Sequence, residues 1–388
     1  MDFDEEIDRR GTHCAKWDRM EALYGVSPED GIAMWVADMD FRAPEGVRRA
    51  LADYAGGVWG YFGDDRDYRA AICWWMAQRH GWAPEPEHVF SVHGLGNGIG
   101  LCLDAFTAPG DGVVLFTPVY HAFASRIRAS GRRVVECEMP QEDGRYVLDF
   151  EAWDRQMNGT ERMLIFCSPH NPGGRVWRRD ELEGVADFAR RHDLLLLSDE
   201  IHHDLVYPGH RHLPMALIEG LSERLIMATA PSKTFNTAGL HTGQIIISDP
   251  DLRARFAARI AGLGISPNAP GLLAATAAYT PEGAAWVDAL VAYLEGNRKL
   301  FDEGVNAIPG LRSMVLEATY LAWVDFSGTG MAIDEVKQRI QKHARIAPNH
   351  GETFGKGGQS FMRFNFAMPR SRLREAVRRL QQAFSDLQ

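Results

Sequence analysis

Short apolar runs recur through the middle of the chain, at residues 89–92, 113–116, 134–137, 163–167, 194–198, 225–228 and 244–247. Between several of them the apolar positions switch to a helical period; within 179–192, Leu182, Val185, Ala186 and Ala189 share one face. Brief runs without polar alternation read as strands buried on both faces, and their alternation with helices predicts a largely parallel sheet covered on both sides. Upstream, 44–54 and 67–80 read as helices, the first opened by Pro44, the second with Ile72, Trp75 and Met76 on one face. After residue 247 the texture changes. Residues 251–263 and 286–308 read as helices, 320–326 and 361–366 as strands, and 370–384 as a closing amphipathic helix. The 388 residues exceed what one core usually supports. The expected division is a large domain over 45–285 and a small one from 1–44 with 286–388.

In such a sheet ligands bind beyond the carboxyl ends of the strands, so the residues after each run carry the chemistry. After 89–92 comes His93-Gly94-Leu95-Gly96-Asn97-Gly98, a turn whose glycines let backbone N–H groups approach a phosphate at a helix N-terminus. A merely tight turn explains it equally well. After 113–116 comes Tyr120, a ring able to stack on a planar ligand or to sit in the core. After 163–167, Asn171 stands in a loop stiffened by Pro169, Pro172, Gly173 and Gly174. After 194–197 come Ser198-Asp199-Glu200-Ile201-His202-His203-Asp204; carboxylates at a buried strand end need cationic partners. Metal is the competing reading of that stretch, disfavoured because the chain shows no matching second cluster. After 225–228, Ser232-Lys233-Thr234-Phe235-Asn236 places a lysine directly on a buried strand end, where desolvation favours the neutral amine that attacks carbonyls. Alone, Lys233 reads as a surface lysine. Five strand ends that together supply a phosphate cradle, a stacking ring, an amide, a carboxylate and an amine match what pyridoxal phosphate requires.

Composition narrows the partners. Charged residues make up 24%, hydrophobic residues 45%, and the net charge is −10. An acidic chain offers no basic surface to nucleic acid or anionic membrane. Arg374, Arg378 and Arg379 read as a solvated helix face. The five cysteines form no C-x-x-C pair, and the N-terminus lacks the basic start and apolar run of a signal peptide, so a reducing cytoplasm is expected.

The ordered motifs Asn171-Pro172-Gly173-Gly174, Asp199-Glu200-Ile201-His202 and Ser232-Lys233-Thr234-Phe235-Asn236 resemble the class I/II aminotransferase superfamily. That likeness implies a pyridoxal-phosphate fold type I, an α/β fold with a mostly parallel mixed sheet flanked by helices plus a smaller α/β domain. Lys16-Trp17-Asp18, residues 35–41, Gly60-Tyr61 and residues 361–367 resemble its MalY/PatB branch, the cystathionine β-lyase-like carbon–sulfur lyases. The resemblance implies that Lys233 carries the cofactor as a Schiff base and acts as the base in α,β-elimination. It implies that Asp199 pairs with the ring nitrogen, that Asn171 bonds the ring oxygen, and that Tyr120 stacks. Leu95 and Gly96 N–H groups with Ser232 would hold the phosphate, His202 would stand near the ring oxygen, and Arg363 would clamp the substrate carboxylate alongside Asn171 and Tyr120. Tyr61 would reach the phosphate of a second copy, implying a homodimer with shared sites. Two departures matter. His241 stands where aminotransferases often carry a phosphate-binding arginine, which the lyase branch also commonly lacks. Leu95-Gly96-Asn97-Gly98 replaces the branch's Val-Val-Pro-Ala, altering pocket shape. The alternatives are an aminotransferase and a pyridoxal-phosphate-binding regulator with vestigial activity. The residues near 121–123, the N-terminal segment and the Tyr320 region are expected to line the pocket for the sulfur substituent.

Overall fold

The computed structural model describes residues 1–387. The apolar runs form one seven-stranded sheet of β1 (Val89–Val92), β2 (Gly112–Thr117), β3 (Arg133–Glu138), β4 (Glu161–Cys167), β5 (Leu195–Asp199), β6 (Leu225–Thr229) and β7 (Gly243–Ile246), in the order β1-β7-β6-β5-β4-β2-β3. Neighbours from β3 across to β6 pair in parallel, whereas β7 runs antiparallel to both β6 and β1. Every residue of β2 and β6 is buried, which is why these runs show no polar alternation.

The helices that matter for the site are α1 (Glu45–Ala55), α2 (Arg66–His80), α3 (Leu95–Phe106), α4 (His121–Ala129), α5 (Arg179–Arg191), α6 (Pro231–Thr234), α7 (Pro250–Gly262), α8 (Ala269–Ala278), α9 (Pro281–Asn306) and α10 (Arg370–Ala383). Two of these escape the sequence pattern for physical reasons. Helix α4 buries only Phe123 and Ile127, too narrow a stripe to reveal a period. Helix α8 is apolar nearly all round and packs against α1 and α2, so it has no polar face to mark one. The division expected at 285/286 falls inside α9, an unbroken helix capped by Thr280, whose hydroxyl accepts the Gly283 N–H.

A second, antiparallel sheet follows α9, with β8 (Arg312–Ser313), β9 (Leu321–Asp325), β10 (Asn349–His350) and β11 (Phe361–Asn365) in the order β8-β9-β11-β10. Helix α10 packs on α9 through Leu373, Ala376, Val377 and Leu380, while Arg378 and Arg379 pair with Glu375 outside. The N-terminal segment joins this half, Ile32–Ala33 pairing in parallel with Ile346–Ala347. Among the described residues no helix is long and apolar enough to cross a membrane, and all five cysteines are free thiols.

Between the two sheets runs an irregular strap, residues 35–41. Its carbonyls receive donors from every side. Trp35 O accepts Arg363 Nη2 at 2.9 Å, and Val36 O and Asp38 O each accept Asn365 Nδ2 at 2.6 Å. Ala37 O accepts Lys233 Nζ at 2.7 Å and Tyr320 Oη at 2.9 Å. Met39 O and Phe41 O both accept Asn236 Nδ2 at 2.8 Å. A buried strap cannot leave these acceptors unpaired.

Asn365 is fully buried and also accepts the Ala367 N–H at 2.8 Å. Asn365→Ala therefore lowers unfolding free energy by about 2–4 kcal/mol, because three acceptors or donors lose their partner in a dry site. Urea denaturation checks this: the midpoint falls while the slope stays constant.

Candidate active site

The strand ends converge as the topology requires. Strand β5 ends at Asp199, whose neighbours in β4 and β6 are Cys167 and Ala228. Strand β6 ends at Thr229, and Pro231 at the first position of α6 then sets Ser232 and Lys233 one turn beyond it. Strand β1 leads through Gly94 into α3; at φ +79 Gly94 holds a left-handed turn that a side chain resists. Strand β4 leads into the loop of Asn171, and β2 into Tyr120 at the start of α4.

One cavity of about 160 Å³ unites them, lined by Leu95, Gly96, Tyr120, Asn171, Asp199, His202, Ser232 and Lys233, with Ala37, Phe123, Arg126 and His241. A roomier groove of about 440 Å³ lies near residues 6–10 and 28–32, but its Arg10 and Arg372 are spent on Asp8, Glu29 and Glu6, and no lysine lines it. The smaller cavity holds the chemistry.

Its electrostatics come from burial. Desolvation pulls the Lys233 amine down to about 8, the Asp38 and Asp199 carboxylates opposing that and Arg363 adding to it. Desolvation pushes the Asp199 carboxyl up to about 6, against the Ile201 N–H and the charges of Lys233 and Arg126. Among the described residues the hydrogen bond that the Asp199 carboxylate accepts is that Ile201 N–H, at 3.1 Å. A buried carboxylate so placed is short of a cation. His202 is buried and kept neutral by desolvation, and its Nδ1 has no partner among the described residues. The donor set therefore suits a ligand with three features: a carbonyl for Lys233, a cationic ring N–H for Asp199, and an anion for the N-terminus of α3.

Arg363, on β11, is buried; it is not among the residues lining the cavity and meets it through Asn171. Its Nη1 donates to Asn171 Oδ1 at 2.9 Å, its Nη2 reaches Trp35 O and Asn349 Oδ1, and its Nε has no partner among the described residues. Burial lowers its pKa to about 10, so it remains a cation at neutral pH. Of the residues expected around the pocket, Phe123 and Ala37 line it, while Tyr320 is fully buried and bonded to the strap. Tyr61 stands apart, fully exposed in a loop with Val58 and Trp59.

The structure corrects one argument from sequence. The second cluster missing beside Glu200, His203 and Asp204 exists in space as His80 and His212. The two carboxylates already have donors. Asp204 takes bonds from Trp75 at 3.0 Å, Thr234 at 2.8 Å and His80 at 2.9 Å; Glu200 takes Ser198 at 2.9 Å, the Met215 N–H at 2.8 Å and His212 at 2.7 Å. The bond to Thr234 makes this network a brace behind Lys233. Sequence reasoning also missed Ala37 O and Asn236, which hold the lysine and its loop to the strap. A backbone carbonyl leaves no mark on residue identity. Asn236 does leave a faint one: it adopts φ +56, a left-handed conformation that asparagine tolerates better than most side chains.

The chain matches the family model "Aminotransferase class I and II" over residues 30–380. It is 37% identical to cystathionine beta-lyase PatB of Bacillus subtilis (strain 168), over 99% of this chain and 100% of that protein. Its fold is similar to that of cystalysin from Treponema denticola, solved with pyridoxal 5'-phosphate, with a TM-score of 0.94, 35% identity, and 100% and 99% of the two chains covered. It is equally similar to a PLP-bound putative aminotransferase from Clostridium difficile 630, with a TM-score of 0.94, 33% identity, and 98% and 99% covered.

The neutral fraction of Lys233 governs its attack on aldehydes. In the cofactor-free protein, the rate of Schiff-base formation with pyridoxal should rise with pH about a midpoint near 8. Asp38→Asn removes a charge that raises this pKa, so the midpoint moves lower. Stopped-flow absorbance across pH reads both; a midpoint near that of free lysine contradicts the assignment.

Proposed function

This chain belongs to the aminotransferase class I and II family, and from that premise we propose that it is a pyridoxal-phosphate-dependent carbon–sulfur β-lyase, cleaving cysteine S-conjugates such as cystathionine to thiol, pyruvate and ammonia. The observation that carries this reading is the meeting of Lys233, Asp199, Asn171, Tyr120 and Ser232 around one cavity, in a chain similar from end to end to a cystathionine β-lyase. Asp199, whose carboxylate takes one backbone N–H and makes no ion pair among the described residues, and the depressed Lys233 fit the cofactor.

When bound, the cofactor supplies an aldehyde that captures the substrate amine and a protonated ring that withdraws the Cα electron pair. Lys233 anchors that aldehyde before turnover. Once free, the Lys233 amine would be the neutral base that takes the Cα proton, a role its lowered pKa suits near neutral pH. Asp199 would keep the proton on the ring nitrogen, and a cation there would lower the raised pKa of its carboxyl. Arg363 receives the substrate carboxylate, with Asn171 fixing the guanidinium plane. That grip aligns the Cβ–S bond, which breaks with its electron pair leaving on sulfur. Tyr120 would cover one ring face, Leu95 and Gly96 N–H groups with Ser232 would hold the phosphate, and His202 would stand near the ring oxygen.

The exposed loop of Val58, Trp59 and Tyr61 supports a homodimer. A single chain rarely leaves such side chains in water, and a second copy covering them brings Tyr61 to the partner's phosphate.

An aminotransferase reading has one specific support, the likeness to a putative aminotransferase; His241 in place of an arginine weighs against it. Incubation with cystathionine and no 2-oxo acid separates the two. Pyruvate and free thiol are expected, and Lys233→Ala abolishes both. Product that appears only after an acceptor is added contradicts the lyase. Arg363→Lys keeps the charge but loses the planar fork, so KM should rise about tenfold or more with kcat less affected. A loss confined to kcat contradicts the carboxylate role.

A further inference from the structure

We propose that Arg126 is the phosphate-binding cation of this site, seated in space that Gly96 leaves open at the N-terminus of α3. This rests on the cofactor reading above and explains both departures in the sequence. A cofactor phosphate carries nearly two negative charges, while a helix N-terminus offers only about half a positive one. The position eight residues beyond Lys233 holds His241 rather than arginine, so a full cation must come from elsewhere.

Gly96 shows where. Its φ lies outside the left-handed region, so its backbone does not require glycine, and a glycine weakens a helix relative to other residues. A side chain there would have to displace the Arg126 guanidinium. A Cβ there would lie 2.2 Å from Arg126 Nη2 and 2.8 Å from Cζ. The guanidinium thus occupies the place of the residue-96 side chain, beside the N–H groups of Leu95 and Gly96 expected to cradle the phosphate. Gly94 differs: it is needed for its positive φ.

Arg126 is also free to act. It rises from α4, where Nη1 donates to Ala122 O at 3.1 Å, and it makes no ion pair among the described residues. It lines the same cavity as Ser232, Lys233 and Asp199, and its charge is felt at the Asp199 carboxyl. The nearby cations have other tasks. Arg363 is held by Asn171, Asn349 and the strap, and Lys233 must meet the aldehyde. With Nε and Nη2 turned toward the cradle, Arg126 can grip phosphate with two charge-assisted bonds.

The test compares two aldehydes that differ only in the phosphate. Cofactor-free wild type, Arg126→Gln and Gly96→Val are each titrated with pyridoxal phosphate and with pyridoxal, by Schiff-base absorbance and equilibrium dialysis. Arg126→Gln should bind pyridoxal phosphate about ten- to a hundredfold more weakly while pyridoxal affinity stays the same. Gly96→Val should show the same selective loss with the arginine still present, because its side chain evicts the guanidinium. Unchanged phosphate discrimination in both variants overturns the proposal, as does an equal loss for both aldehydes, which marks a packing role. An effect on substrate KM alone would also overturn it, placing the cation on the substrate side. If wild type forms no Schiff base with pyridoxal phosphate, the cofactor reading fails and the proposal falls with it, an outcome distinct from the others.

Discussion

The structure hangs on the row of backbone carbonyls in the strap 35–41. Ala37 O takes the Lys233 amine, Trp35 O takes Arg363, and Val36 O and Asp38 O take Asn365. One short segment therefore fixes the lysine of the large sheet and the arginine of the small sheet against the same reference. The strap is itself held from behind: Lys16 bonds Asp38 O at 3.1 Å and Asp40 at 2.9 Å, and Arg9 bridges Asp38 and Asp40. Several kcal/mol of unsatisfied acceptors await any arrangement that withdraws one of these donors.

Burial then sets the chemistry. The same desolvation that lowers the Lys233 amine raises the Asp199 carboxyl, so burial suits one to a carbonyl and the other to a cation. Placing charge-deficient groups in a dry cavity costs stability, and the brace of Asp204, His80, Trp75 and Thr234 behind α6 is the local compensation. Substrate grip and cofactor grip are built on different elements, Arg363 on β11 and Lys233 on α6. The strap is what makes their separation constant.

Much of this was legible along the chain, for identifiable reasons. The strands of the large sheet are buried on both faces, so hydrophobicity alone marks them, and the topology puts Asn171, Asp199 and Lys233 at their carboxyl ends. What stayed hidden depends on contacts between distant segments. Helices α4 and α8 lack a readable stripe. The strap acts through carbonyls, which have no letter. His80 and His212 join Glu200 and Asp204 only once α2 packs on the sheet. Gly96 reads as one more turn glycine until the fold lays Arg126 across it. Tyr61 lies outside the cavity, and its expected role belongs to a pair of chains.

The central claim is that Lys233 carries the cofactor. Borohydride reduction of the purified holoenzyme, followed by proteolysis and mass mapping, tests it directly. The account predicts a phosphopyridoxyl group on the peptide containing Lys233 and on no other. A label on Lys16, the other lysine held against the strap, or no covalent label at all, would contradict it.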